Sequence, residues 1–159
     1  MPEARALLVG ERRAASVWTK VHPVFALGQL LAFLVSVGLL VAYLRHGVSF
    51  HVVHISVLTK IGLMVGAVIT GSLWEHDVYG HWWFAPEFMF EDVMTLIVFI
   101  MQLSYLLMVL THPENMRAIL GILVLAYAIY LANVAQYIHR TQRQKHEAAA
   151  AQASLKKAA

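Results

Sequence analysis

Residues 24–44 read VFALGQLLAFLVSVGLLVAYL, twenty-one positions without a formal charge. A helix rising about 1.5 Å per residue needs about 20 apolar residues to cross a hydrocarbon core roughly 30 Å thick, and this run is long enough. Working outward, three further runs have the same character, so spans are expected at 24–44, 50–73, 91–111 and 117–138. None shows the alternating polarity of a barrel strand. Lipid offers no partner to exposed backbone groups, which leaves helices that satisfy their own amides. The composition agrees: 60% of the 159 residues are hydrophobic and 13% charged, against about 25% charged in a soluble domain. The fold class expected is all-α, an integral membrane bundle of four transmembrane helices forming one membrane domain over 1–159. The first run is longer than a secretory h-region and lacks a small-residue cleavage site after it, so it reads as a retained span. With no cysteine in the chain, disulfides and thiolate metal sites are excluded.

Charge placement sets an orientation. Arg5, Arg12, Arg13 and Lys20 precede the first span, and Arg140, Arg143, Lys145, Lys156 and Lys157 follow the last. Nine of the twelve basic residues therefore lie on the two tails. Positive charge favours the cytoplasmic side, so both termini are expected there, as is the connection between spans two and three. The tail 139–159 is basic and Ala-rich, reads as either a helix or a frayed end, and carries no assigned function. The modest net charge of +3 gives no reason to expect a nucleic-acid partner.

Within the spans a few polar residues stand out. Lys60 lies ten residues into span two, where a charge costs something like 2.5–3.5 kcal/mol on insertion scales, so it should face the interior of the bundle. Ser56, Ala67 and Gly71 fall near its face, and Gly62 with Gly66 offers a small-xxx-small contact surface. Asn133 and Gln136 are three apart near the end of span four. Interhelical hydrogen bonding is the default for all of these, and contact with a polar edge of a ligand is the alternative. His22 and His139 flank one membrane face, and His54 and His112 lie towards the other. Opposed histidines can clamp a haem iron, but span edges collect polar residues anyway.

The connection after span two is different in kind. GSLWEHDVYGHWWFAPEFMFEDV, residues 71–93, holds five of the nine carboxylates: Glu75, Asp77, Glu87, Glu91 and Asp92. Trp74, Tyr79, Trp82, Trp83, Phe84, Phe88 and Phe90 are interleaved with them, and no Lys or Arg occurs. An interfacial aromatic belt explains some of this. First-turn acids favoured by a helix dipole explain Glu91 and Asp92, and Pro86 suits a loop ahead of a helix start. Neither explains the concentration. Carboxyl groups crowded beside aromatic rings at a bilayer edge are poorly solvated and resist ionising together, so one can hold a proton while another accepts one. Flat aromatic walls suit a planar, amphipathic ligand. The residues alone lead to a shallow membrane-edge site with proton-transfer groups, and no further.

This stretch resembles the signature of the 3-vinyl bacteriochlorophyllide (chlorophyllide a 3-vinyl) hydratase family of bacteriochlorophyll biosynthesis. The frame G-S-[IL]-W-E, V-[FY]-G, F-A-P-x-F and E-D-V falls on Gly71–Glu75, Val78–Gly80, Phe84–Phe88 and Glu91–Val93. Looser likeness extends to SVWTK near the N-terminus, to Lys60 and to NVAQY in span four. Phe90 stands where the family's pattern has Trp, and His76, Asp77, His81 and Glu87 fall outside the frame.

The resemblance implies a hydro-lyase that adds water across the C3 vinyl group of a chlorophyllide-type tetrapyrrole. It implies no cofactor, since the magnesium is carried by the substrate, and no separate protein metal site. It implies a multi-pass protein of the bacterial cytoplasmic or intracytoplasmic membrane, in contact with lipid and with room for contacts to other pigment-biosynthesis enzymes. On this footing Glu75, Glu91 and Asp92 are the expected acid and base groups, with His76 as a reserve base. Trp74, Trp82, Trp83 and Phe84 would line the ring site, with Lys60, Asn133 and Gln136 at its polar edges. Lys20, Arg140 and Arg143 are candidates for the ring's propionate, though each is also an ordinary topology-setting charge. Two readings of other classes compete: a membrane protein that holds or assembles tetrapyrroles without transforming them, and a haem electron carrier.

Overall fold

The computed structural model describes residues 2–84 and 88–158. It is built from α1 (Pro2–Ala15), α2 (Trp18–His46), α3 (Phe50–Tyr79), α4 (Met89–Thr111) and α5 (Met116–Ala158). No strand occurs among the described residues. Among the described residues four stretches are long and apolar enough to cross a membrane: α2, α3, α4 and the Met116–Arg140 part of α5. Every backbone amide inside such a helix has a partner in the same helix, which is the arrangement lipid demands.

The helices outrun the apolar runs that announce them. α2 begins at Trp18 and passes through Pro23 without ending. Proline removes one amide donor, a loss that membrane helices tolerate. α3 continues to Tyr79, so Trp74, Glu75, His76 and Asp77 are helical residues: 71–79 of the stretch read as a loop continue α3, and 89–93 begin α4. Hydropathy falls there, but backbone pairing is indifferent to hydropathy, and the helix stops only at Gly80. Its φ of 78° is the left-handed geometry glycine supplies, and its amide donates to the His76 carbonyl at 3.0 Å. The N-terminal arm, read only as a set of charges, forms α1. The Ala-rich tail is helical to Ala158. Pro86 and Glu87 lie outside the described residues.

The chain divides into two compact units, Met1–Glu87 and Phe88–Ala159. In the first, α2 and α3 form an antiparallel hairpin across a three-residue link. Gly47, at φ 70°, ends α2, and the Ser49 hydroxyl accepts from the His51 amide at 3.3 Å to start α3. The buried stripe Gln29, Phe33, Ser36 and Leu40 on α2 has helical spacing, and so has Val53, Val57, Lys60, Met64, Ala67 and Thr70 on α3. The two meet in a regular register. The Ser56 and Ser36 hydroxyls bond at 2.8 Å, Gly28 faces Leu63, Gly66 lies under the Phe25 ring, and His22 meets Thr70 at 3.2 Å. Each step towards the start of α2 is matched by a step towards the end of α3. Gly62 faces open space, so of the two glycines expected at a contact only Gly66 makes one. Lys60 is fully buried, as its cost in lipid requires. Outward apolar residues such as Leu27, Leu31, Leu34 and Val35 remain exposed, in keeping with a lipid-facing surface.

In the second unit α4 packs on α5. Val98, Gln102 and Tyr105 are buried on α4, and Ile119, Leu123, Ala126, Tyr127 and Tyr130 on α5. Asn115 caps α5, its side-chain oxygen accepting from the Ala118 amide at 3.2 Å. Glu91 and Asp92 occupy the first turn of α4, where the helix dipole favours negative charge.

A methyl group at Gly66 would overlap the Phe25 ring, whereas one at Gly62 meets nothing. Gly66→Ala is expected to cost about 1–3 kcal/mol by overpacking. Gly62→Ala should be neutral or stabilising by up to about 1 kcal/mol, since alanine is the better helix former. Thermal unfolding in detergent compares them, and equal midpoints would remove the assigned contact.

Candidate functional site

The last turns of α3 carry the densest chemistry in the first unit. α1 and the start of α2 fold against them and make a connected set of polar contacts. The Trp74 indole donates to the Thr19 hydroxyl at 3.0 Å, and that hydroxyl donates to the Arg13 carbonyl at 2.7 Å. The Arg13 guanidinium lies 5.1 Å from the centre of the Trp74 ring and 6.0 Å from that of Tyr79. It also donates to the Tyr79 hydroxyl at 3.1 Å. Trp74 and Tyr79 meet edge to face at 5.7 Å. Ser16 donates to Asp77 at 2.9 Å. Cation–π contacts of this kind stabilise by about 0.5–1 kcal/mol each at exposed sites, so the set as a whole, more than any one contact, ties α1 to the end of α3.

Glu75 sits in the middle of this region and points inward, with 8% of its surface exposed. It follows Gly71 by four residues, so the two share a face of α3. The ring of His22 lies directly over Gly71, where an added Cβ would come within 3.1 Å of the imidazole. His76 points the other way and stacks on Trp82 at 4.1 Å. The Ser72 hydroxyl donates to the Trp82 carbonyl at 2.6 Å, folding the chain after Gly80 back onto its own helix. Trp82, Trp83 and Phe84 are exposed there, Phe84 with a positive φ of 56° and its ring 6.1 Å from that of Trp83. Trp74, Glu75, His76 and Trp82 are thus gathered at one end of one helix. Lys60 is fifteen residues earlier on α3, roughly 22 Å along the axis.

The second unit holds an open groove of about 500 Å³ lined by Phe90, Glu91, Ala135, Gln136, His139 and Arg140. Glu91 pairs with Arg140 across it, and the Arg140 guanidinium lies 5.1 Å from the centre of the Phe88 ring. Gln136 lines the groove directly. Asn133 is half-buried one turn earlier on α5, and Asp92 is half-buried beside Glu91 on α4. A carboxylate, a guanidinium, an amide and an imidazole at the edge of an apolar cleft can bind a polar substituent of an otherwise greasy molecule.

Several of these groups escape sequence reading. Arg13, Ser16 and Thr19 sit among ordinary tail charges and hydroxyls, and His22 and His139 look like span-edge residues. Ser16 and Thr19 leave a trace in the SVWTK likeness, and the apolar run Ala6–Val9 hints that the arm has a face to bury. Among the described residues no group of three metal-ligating side chains is present.

Comparison with known proteins supplies what geometry does not. The family profile described as 2-vinyl bacteriochlorophyllide hydratase matches residues 8–143. A 2-vinyl bacteriochlorophyllide hydratase of Rhodobacter capsulatus is 36% identical over 152 residues, covering 93% of this chain and 88% of its own. One of Cereibacter sphaeroides is 34% identical over 142 residues, covering 89% and 88%. No solved structure matches. The matched segment takes in Arg13, all four spans and both clusters, and the chain belongs to the 2-vinyl bacteriochlorophyllide hydratase family.

Proposed function

We propose that this membrane hydratase adds water to the C3 vinyl group of chlorophyllide a or 3-vinyl bacteriochlorophyllide, giving a 1-hydroxyethyl group by carboxylate acid/base catalysis. The family's name numbers the vinyl position 2, and the current numbering of the macrocycle makes it 3. The observation that carries the reading is family membership over most of the chain, together with the inward-facing Glu75 at the aromatic end of α3.

The chemistry needs no electron transfer. A carboxylic acid gives its proton to the terminal vinyl carbon, and the positive charge left on the adjacent carbon spreads into the macrocycle. Water adds to that carbon, and its surplus proton passes to a carboxylate. The sum is one water gained. Negative charge near the cation and a positioned proton donor are what a protein contributes to such a reaction. Glu75 and Glu91 are the acid and base in this reading, with Asp92 orienting water and His76 in reserve. Trp74, Trp82, Trp83 and Phe84 offer flat faces to the ring. Gln136, with Asn133 one turn away and Lys60 deeper in the span, supplies polar edges. Lys20, Arg140 and Arg143 are the candidates for the ring's propionate, Arg140 being also paired with Glu91. No cofactor is called for beyond the magnesium the substrate brings.

A non-catalytic tetrapyrrole carrier is the alternative, and the two separate by mass. Membranes containing the chain should convert 3-vinyl chlorophyllide to a product heavier by one water, with a blue-shifted red absorption band. Glu75→Gln and Glu91→Gln should each lower turnover by about 10²–10⁴-fold, the usual contribution of a general acid or base. Near-normal turnover in both variants would falsify the assignment.

The placement of nine of twelve basic residues on the tails supports cytoplasmic termini, in the cytoplasmic or intracytoplasmic membrane of a bacterium that makes this pigment. Because the chain has no cysteine, a single one introduced at Ala15 or at Ala153 gives a clean label. An impermeant maleimide should modify both in inside-out vesicles and neither in right-side-out cells, and the opposite pattern inverts the orientation.

A further inference from the structure

We propose that His22 is the axial ligand to the magnesium of the bound tetrapyrrole, so that it sets where the vinyl group stands relative to Glu75. The inference rests on the hydratase reading for its ligand, and on the geometry of α2 and α3 for its site.

The argument begins with a hydroxyl that has one proton to give. The Thr70 Oγ1 atom lies 2.8 Å from the Gly66 carbonyl and 3.2 Å from the Ala67 carbonyl of its own helix. It spends its hydrogen on that backbone, the usual bond for threonine within a helix. Towards His22 Nδ1, 3.2 Å away, the oxygen can therefore only accept. In the neutral imidazole this puts the hydrogen on Nδ1 and leaves the lone pair on Nε2. A histidine that holds a metal almost always has its other ring nitrogen donating in this way, which fixes both tautomer and ring orientation.

The neighbouring residue keeps the ring edge clear. The Cε1 atom, between the two nitrogens, would lie 3.1 Å from a Cβ at position 71 and Nε2 would lie 3.9 Å from it. Glycine there lets the imidazole lie close against α3. Any larger residue would press on Cε1 and on Nδ1, which would lie 3.4 Å from the added Cβ, and would push the ring off Thr70. The first glycine of the G-S-[IL]-W-E frame thus has a specific local use.

Magnesium as a free ion prefers oxygen donors. In a chlorin its four equatorial positions are already filled by ring nitrogens, and only a neutral axial donor is wanted. The register is also suitable. Gly71 and Glu75 are one turn apart on one face of α3, a rise of about 5.4 Å per turn. That is comparable to the distance from the centre of a macrocycle to a substituent on its rim. With its plane running along α3, a ring anchored at His22 through its metal would bring a rim substituent level with the inward carboxyl of Glu75. His76, by contrast, has one face covered by Trp82.

The competing account is a histidine that merely joins two helices through Thr70, and affinity for a metal-free ring tells the two apart. Full-length protein in detergent is titrated with 3-vinyl chlorophyllide a and with its magnesium-free pheophorbide, following fluorescence. The wild type should bind the magnesium form at least about tenfold more tightly. His22→Gly should bind both alike and regain the preference when imidazole is added. Thr70→Val, which keeps the ring but removes its acceptor, should lose about tenfold for the magnesium form alone, the lower end of such outer-shell effects. Resonance Raman bands should report a five-coordinate magnesium in the wild type. A His22→Gly protein that still prefers magnesium overturns the proposal, as does a Thr70→Val protein weakened equally for both rings. Magnesium preference without water addition would leave His22 standing and defeat the hydratase reading instead.

Discussion

The close antiparallel packing of α2 on α3 is the constraint on which the first unit depends. Lipid gives helices no hydrophobic reason to associate, so contact must come from close fit and a few hydrogen bonds. Here the fit is the Phe25 ring over Gly66 and the His22 ring over Gly71, and the bonds are Ser56 to Ser36 and His22 to Thr70. Because the register is regular, it carries on past the apolar core. It brings Thr19 to Trp74 and, through the turn at Ser16, Arg13 to Tyr79. The contacts that order the end of α3 continue the ladder that holds the spans together.

This continuity bears on chemistry. A carboxyl group on a loose interfacial loop would be hydrated and would exchange protons mostly with water. Carried on a helix that continues beyond the hydrocarbon, Glu75 is held at a defined angle and turned inward. Its neighbours on the outer faces, Trp74, His76 and Asp77, are each tied to a different partner. The groove between Phe90 on α4 and His139 on α5 follows the same logic with other residues. The polar groups of both helices line the groove, with Glu91 and Arg140 paired across it.

The differences between expectation and structure have physical causes. Hydropathy locates the boundary of lipid, and helices end where capping and glycine geometry say so. Treating the two boundaries as one turned the end of α3 into a loop and missed the first six residues of α2. α1 was overlooked because its charges satisfy an orientation rule without needing structure. Gly62 and Gly66 look equivalent in a pattern, yet only one faces a neighbour. They lie one turn apart on nearly the same face of α3, and what separates them is the partner opposite: the Phe25 ring of α2 covers Gly66 and nothing reaches Gly62.

Sequence alone determined the class of protein, since four apolar runs of this length, the first without a formal charge and the others with one or two, in a chain with so little charge read as helices in lipid. It also determined the family, because a dense run of acids, glycines and aromatics at fixed spacing identifies it directly. What only the tertiary structure decided is which side chains share a face. Helical spacing leaves the rotation of each helix open until a neighbour packs against it. The burial of Glu75, the Thr70 bond that orients His22 and the pairing of Glu91 with Arg140 are all consequences of that packing.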